Sequence, residues 1–384
     1  MFHSGECCRF EKLRERQRRR EFWGTEIALR QSMIKTPSYA APSKTAPLGP
    51  LAIDRREPGP HDVLIDISFC GVCHSDIHQV RDEWGGSIYP MVPGHEIVGT
   101  VAQAGDSVTR WKVGDVVGVG CFVDSCRECA ACEAGEEQYC ENGMTPTYNG
   151  RERDGKTPTF GGYSTRVTVN EDYVVRIPEG IPLEGAAPLL CAGITTYSPL
   201  RHFGVKAGDK VAIVGLGGLG HMGVKIAKAM GAHVTVLSHS PGKRDDALKL
   251  GADDFLATGD SGVFAQNKNR FDFILDTVSA AHDYNSYLRM LRLDGTMVLV
   301  GIPEPTPVSA GPLVSRRRSL AGSSIGGIRE TQEMLDFCAE HGLQADVEVI
   351  PIEQINEAYE RMLRSDVRYR FVIDTSTLSG DQSR

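Results

Sequence analysis

Two groups of metal-binding side chains and one glycine loop carry the chemistry offered by this sequence. Cys126, Cys129, Cys132 and Cys140 stand in C-x2-C-x2-C-x7-C spacing, all within fifteen residues. Four thiolates match a closed tetrahedral zinc site, whose role would be to clamp a lobe of chain. Disulfides and an iron–sulfur cluster use the same residue type. Zinc is preferred because the first three cysteines crowd one turn, no further cluster motif follows, and no secretory signal precedes them. The second group is dispersed: Cys73 follows Gly71-Val72, His95 and Glu96 follow Pro93-Gly94, and Cys191 follows Leu189-Leu190. Two thiolates and one imidazole form the ligand set of a catalytic zinc that keeps its fourth position open. Spacing alone does not bring them together, since an isolated cysteine is more often a small buried hydrophobe.

The glycine loop is Gly215-Leu216-Gly217-Gly218-Leu219-Gly220. It lies between the apolar run Val211–Val214 and Leu219, Met222, Ile226 and Met230, which recur at helical spacing. In that context G-x-G-x-x-G is a dinucleotide-binding signature. Gly215 allows the tight turn, Gly217 admits a pyrophosphate to the backbone, and Gly220 lets helix and strand approach. The diphosphate then meets free N–H groups at the helix N-terminus. Roughly twenty residues further on, where NAD enzymes carry a ribose-binding carboxylate, this chain has Ser238-His239-Ser240, followed by Lys243 and Arg244. Hydroxyls and cations suit a 2′-phosphate, so NADP(H) is the expected cofactor.

The elements that must position these groups fall into two textures. From about residue 35 to 185 the chain has short β-like runs, Val63–Ile67, Ile97–Val101, Val113–Val119 and Tyr163–Val169, punctuated by turn signals. After about residue 205, apolar strands at Val211–Val214, Val234–Leu237, Phe271–Leu275 and Met297–Val300 alternate with helical segments at Asp245–Leu250 and Tyr284–Leu291. That alternation predicts an α/β fold, a Rossmann doubly wound parallel sheet. A helix (Glu330–His341), a strand (Val347–Ile350), a helix (Ile355–Leu363) and a strand (Arg370–Ile373) close the chain. This tail is too small for its own core and is expected to complete the first, β-rich domain. The expected division is therefore 33–190 with 326–384 as the catalytic domain, including a structural zinc lobe at 121–145, and 191–325 as the cofactor domain. Residues 1–32 hold eight Lys/Arg against five Glu and read as a solvated or disordered tail.

The ordered motifs resemble the zinc-dependent medium-chain alcohol dehydrogenases, and within them the cinnamyl alcohol dehydrogenase branch with its NADP-dependent aldehyde reductases. They are GVCHSD at 71–76, HQVRDEWG at 78–85, VPGHEIVG at 92–99, the four-cysteine lobe, LLCAGITTYSPL at 189–200, GLGGLGHMGVKIAK at 215–228 and DVRYRFVID at 366–374. The resemblance runs from about Met33 to Thr375 and implies that the first domain is GroES-like. It implies that Cys73, His95 and Cys191 bind catalytic zinc, with Glu96 an adjacent carboxylate, and that the four-cysteine lobe binds a second zinc. Asp76 would hydrogen-bond the ligating histidine; Ser75 would pass the alcohol proton and His78 relay it to solvent. His74, Thr195 and Arg368 would contact the cofactor. The implied reaction is reversible oxidation of a primary alcohol to an aldehyde.

Composition narrows the remaining classes. With 24% charged residues, a net charge of −8 and no long apolar run, the chain fits neither a nucleic-acid-binding nor a membrane protein. A cytoplasmic enzyme acting on a small alcohol or aldehyde is expected, with Trp84, Ile88 and Phe160 as candidates for an apolar slot. By family analogy a homodimer forms through the sheet edge near Thr296–Pro303. Three rivals share the fold: a zinc-free quinone reductase, an NAD-dependent polyol dehydrogenase, and a non-catalytic nucleotide or metal sensor.

Overall fold

The computed structural model describes residues 33–260 and 262–379; the Arg-rich segment 1–32 lies outside the described residues. A hairpin, β1 (Met33–Ala40) and β2 (Gly49–Arg56), opens the chain. The first large sheet uses β3 (Asp62–Val72), β4 (Ile97–Ala104), β5 (Val116–Val119), β6 (Arg166–Asn170) and β7 (Val175–Arg176). In β6 buried and half-buried residues alternate, the pattern of a strand with one face on a core. The second sheet uses β8 (Lys210–Val214), β9 (His233–Ser238), β10 (Asp254–Ala257), β11 (Phe271–Asp276), β12 (Leu291–Leu299) and β13 (Ser319–Gly322). Here β8 is buried at four successive residues, as a strand covered on both faces must be. The last strands, β14 (Val347–Pro351) and β15 (Arg370–Asp374), return to the first sheet, where β15 pairs antiparallel with β3.

The second sheet has the order β10-β9-β8-β11-β12-β13, with every pairing parallel. The order reverses beside β8, which opens a crevice at the carboxyl ends of β8 and β11, where doubly wound sheets bind ligands. The first sheet runs β7-β5-β4-β3-β15-β14, with β6 also on β3. Five helices matter to the site: α1 (His74–Val80), α2 (Ala192–His202), α3 (Gly220–Ala229), α4 (Ile328–Glu340) and α5 (Ile355–Leu363). One hydrophobic cluster joins both sheets, running from Val98 and Val372 through Leu189, Leu190 and Ile194 to Ile213 and Val224. The segment around Cys191 is thus fixed by packing on two sides. No helix among the described residues is long and apolar enough to cross a membrane.

Three expectations need correction. The strand expected over 113–119 begins only at Val116. Lys112–Asp115 is a turn, in which the Asp115 amide donates to the Lys112 carbonyl at 3.1 Å and the Asp115 carboxylate caps the Lys112 amide at 2.9 Å. The strand expected from Tyr163 enters its ladder at Arg166, because Tyr163 belongs to a loop whose carbonyl accepts from the Tyr39 amide at 2.9 Å. The stretch near Thr296–Pro303 is not a sheet edge: β12 is bounded by β11 on one side and β13 on the other. The missed strand β13 is only four residues long and is separated from β12 by a loop broken by Pro303, Pro305 and Pro307 and by a short helix, Ala310–Val314.

A buried cation anchors the loop at 160–164. Arg55 donates to the Phe160 carbonyl at 3.0 Å, the Gly161 carbonyl at 2.8 Å and the Ser164 hydroxyl at 2.8 Å. Arg55→Met removes all three donations and leaves the Phe160 carbonyl without this partner, while the Gly161 carbonyl keeps the Ser164 hydroxyl at 2.8 Å; an acceptor left unpaired costs about 1–3 kcal/mol. Urea unfolding of that variant is expected to show a stability loss of at least about 2 kcal/mol; a loss within about 0.5 kcal/mol, the usual range of a surface substitution, would remove Arg55 as the anchor.

Candidate active site

Cys73 sits at the end of β3 and is the residue on which α1 begins. The helix starts there because the Asp76 carboxylate, one turn in, accepts the Cys73 amide at 2.9 Å. The same carboxylate reaches out of the helix to the loop before β4, accepting the Gly94 amide at 3.3 Å and lying 3.1 Å from His95 Nδ1. Nδ1–H thereby donates to Asp76, which leaves Nε2 for a metal. Tyr148 stacks on the His95 ring with centroids 5.8 Å apart. Cys191 opens α2 at the packed junction of the two sheets.

Dispersed in sequence, Cys73, His95, Glu96 and Cys191 present ligand atoms within 4.8 Å of one another, and all four residues are buried. The two thiols are 3.9 Å apart. Two zinc–sulfur bonds of about 2.3 Å at a tetrahedral angle require about 3.8 Å between sulfurs, so the donor set fits a single ion. The Cys73 thiol is held well below its ordinary pKa by a hydrogen bond from Cys191, with Arg370 and His95 adding to the effect against burial. Burial opposes protonation of His95, yet the Asp76 carboxylate and the nearby cysteines raise its pKa well above the ordinary value.

The four-cysteine lobe is equally assembled. Cys126, Cys129, Cys132 and Cys140 bring their sulfurs within 4.8 Å of one another, and the Cys126 and Cys132 sulfurs are 3.9 Å apart. That separation is nearly twice a disulfide bond of about 2.05 Å, and all four cysteines are free thiols, which excludes the disulfide alternative here.

Arg370 is the residue that sequence reasoning missed. The quoted stretch 366–374 contains two arginines, and the structure separates them. Arg368 is on the surface, with Nε 2.8 Å from an Asp246 carboxylate oxygen. Arg370 is buried, forms an ion pair with Glu96, and lies 3.8 Å from the Cys73 sulfur. Its aliphatic stem passes the glycine loop so closely that a Cβ at Gly218 would be 2.7 Å from Arg370 Cδ. An arginine directly before the buried apolar run Phe371–Ile373 was the available signal. With both thiols and Glu96 ionised, Arg370 balances one of three negative charges, and a divalent cation balances the other two.

In the glycine loop, Gly215 has φ +89°, and a Cβ on Gly220 would strike the Gly215 carbonyl, whereas Gly217 faces open space. Leu216 is buried beneath the turn, Leu219 is half-buried, and the Leu216 carbonyl accepts from Lys243 Nζ at 2.8 Å. Ser238 is buried at the end of β9, its hydroxyl 3.3 Å from the Ser240 amide, and His239 and Ser240 are exposed beyond it. Thr195 is buried one turn into α2 and His74 is exposed at the start of α1. The Ser75 hydroxyl is 3.6 Å from the Cys73 sulfur. His78 pairs through Nδ1 with Glu83 at 2.5 Å and stacks on Trp84 at 4.9 Å. Trp84 is largely exposed, while Ile88 and Phe160 are half-buried, Phe160 against the core.

His221 follows the loop directly, buried and stacked on Tyr369 at 5.0 Å. Burial lowers its pKa from 6.5 to about 4. The folded chain holds the neutral ring, so this contribution to stability is complete above about pH 6.5 and is lost as the pH falls towards 4. His221→Phe should remove about 2–3 kcal/mol of the stability difference between pH 7 and pH 4.5, measured by urea unfolding. An unchanged difference would show that the ring is not held neutral.

Residues 59–179 match the family model for the alcohol dehydrogenase GroES-like domain, and 218–340 that for the zinc-binding dehydrogenase. The chain is 60% identical over 348 residues to NADP-dependent alcohol dehydrogenase C 1 of Mycolicibacterium smegmatis, covering 90% of this chain and 99% of that one. It is 56% identical over 351 residues to the aldehyde reductase YahK of Escherichia coli, covering 90% of this chain and all of that one. Among solved structures, a cinnamyl alcohol dehydrogenase of Sorghum bicolor superposes with TM-score 0.88 at 46% identity, covering 91% of this chain and 99% of that one. The Helicobacter pylori enzyme complexed with NADP(H) gives 0.84 at 41% identity, covering 90% and 99%. By sequence along nine-tenths of its length and by architecture in both sheets, the chain belongs to the zinc-dependent medium-chain alcohol dehydrogenases.

Proposed function

We propose that this protein is an NADP(H)-dependent alcohol dehydrogenase working as an aldehyde reductase on aromatic, cinnamyl-type or medium aliphatic aldehydes. The observation that carries this reading is Arg370, which touches the Cys73–Glu96 cluster at one end and the glycine loop at the other. A Lewis-acid site and a dinucleotide crevice thus share one side chain.

Cys73, His95 and Cys191 would hold the catalytic zinc, with Glu96 as the neighbouring carboxylate, and Cys126, Cys129, Cys132 and Cys140 the structural zinc, two ions per chain. Zinc supplies Lewis acidity to the substrate oxygen, and the nicotinamide supplies or takes the hydride. The protein's own work is orientation and proton movement. The Ser75 hydroxyl, beside Cys73, exchanges a proton with the substrate oxygen, and His78, anchored by Glu83, passes it to solvent. Thr195 lines the nicotinamide side; His74 and Arg368 contribute at the diphosphate and its rim. Ser238, His239, Ser240 and Lys243 receive the 2′-phosphate, with no carboxylate among residues 238–244 to repel it. Residues 33–190 with 326–384 form the catalytic domain in this reading, and 191–325 the cofactor domain. A cytoplasmic homodimer is the proposed assembly, and the exposed Ile302 and Val314 near the edge strand β13 support such a contact.

Turnover of NADPH and NADH with a panel of aromatic, cinnamyl and aliphatic aldehydes tests the function. kcat/KM should favour NADPH by at least about a hundredfold, the order given by two or three lost charge-assisted hydrogen bonds. Preference for NADH with polyols would instead favour the polyol dehydrogenase, and no turnover with any substrate the sensor. A second test is metal content. Cys73→Ala should lower zinc from about two ions per chain to about one and abolish turnover. Two ions with full activity would remove Cys73 from the site.

A further inference from the structure

Asp76 is fully buried, and its carboxylate has more work than holding one histidine. Oδ1 meets His95 Nδ1 at 3.1 Å and the Gly94 amide at 3.3 Å. Oδ2 meets the Cys73 amide at 2.9 Å and the Tyr163 hydroxyl at 3.1 Å. Tyr163 is itself completely buried, and its hydroxyl lies 3.5 Å from that of Tyr359 on α5. A line of polar groups thus runs from α5 to the imidazole: Tyr359, Tyr163, Asp76, His95.

We propose that Tyr163, steadied by Tyr359, is a positioning residue for the metal-ligating imidazole of His95, acting through Asp76. The proposal rests on the zinc reading given above. The torsion about the carboxylate bond of aspartate is broad, so contacts at a single oxygen do not fix its plane. Both contacts on Oδ1 come from adjacent residues of one loop, Gly94 and His95, and move with it. On Oδ2 the Cys73 amide belongs to the helix that carries Asp76 itself. The Tyr163 phenol, at 3.1 Å, comes from a separate segment of chain, as does the buried Tyr148 hydroxyl, which also hydrogen-bonds this carboxylate. The Tyr163 segment, 160–164, is tied down by the Arg55 guanidinium and by backbone hydrogen bonds from Gly161, Gly162 and Tyr163 to Val92, Gly94 and Pro93 of the loop that carries His95. Tyr163 therefore holds the second oxygen of the carboxylate against the same loop framework that carries His95, and so sets the carboxylate plane and the direction of His95 Nε2. Tyr148, stacked on the His95 ring with centroids 5.8 Å apart, limits its tilt and adds a hydrogen bond to the same carboxylate.

The test uses full-length protein with Tyr163→Phe, which keeps the ring and removes the hydroxyl. Zinc retention is measured by chelator competition, and the ligand field by the absorption bands of cobalt-substituted protein. Retention at the catalytic site should fall about tenfold, the lower end of what loss of an outer partner costs. The catalytic-site cobalt bands should move, while the four-cysteine site keeps its ion and its bands. Lower thermal stability with unchanged retention and bands would make Tyr163 only a packing residue and overturn the proposal. If Tyr163→Phe does not fold, Tyr359→Phe decides: retention and bands unchanged there overturn it as well. His95→Ala, measured in parallel, separates the two levels. If it leaves both ions bound, the zinc reading fails; if it removes one while Tyr163→Phe changes nothing, only the positioning role fails.

Discussion

A guanidinium cannot be discharged inside a protein, so the burial of Arg370 dictates much of what surrounds it. Only 2% of its side chain meets solvent. Its charge is met by Glu96 and by the Cys73 sulfur, both also buried, and its stem lies against the dinucleotide loop. Arg370 opens β15, the strand through which the end of the chain is laced onto β3, the strand that leads into Cys73. Two long-range constraints therefore coincide. The ladder brings the arginine beside the thiol, and electrostatics makes its place there tolerable only when anionic ligands are present.

The same economy governs Asp76. One carboxylate starts α1, ties the loop before β4 to that helix, and fixes the tautomer of His95. Because those tasks use both oxygens, Cys73 and His95 are held as one unit rather than as independent side chains. The four-cysteine lobe follows a different logic, since its sulfurs come from a span of fifteen residues and need little help from the rest of the fold.

Local chemistry was legible in the sequence wherever its parts are close together. The glycine loop between a strand and a helix, and the crowded cysteines, define their own geometry. The alternating strands and helices after residue 205 were equally plain, because a doubly covered parallel strand has to be a continuous apolar run. What the sequence hid depends on distant pairing. Nothing in the spacing of Cys73, His95 and Cys191 states that they meet, and resemblance to a family had to supply that. The choice between Arg368 and Arg370 depends on where β15 begins its pairing, with Arg370 opposite Val347. Tyr163 looked like the start of a strand because its aromatic ring and the residues after it suit one; in fact the loop is bent aside by hydrogen bonds to Tyr39 and Arg55. The β13 strand escaped because four residues behind a proline-rich loop give too short a pattern to read.

The late return of the chain to its first sheet also has a temporal side. A ribosome that has delivered residue 340 has already released every thiol and imidazole of both clusters, but neither Tyr359 nor Arg370. The neutralising cation and the outer hydroxyl arrive only with the final thirty residues. During synthesis the four-cysteine lobe is thus complete early and from its own segment, whereas the other cluster must wait for the C-terminus to thread home. Such a sequence-distant closure is slow by nature, so the Cys73–Glu96 cluster gains its counter-charge only after the four-cysteine lobe has all its sulfurs.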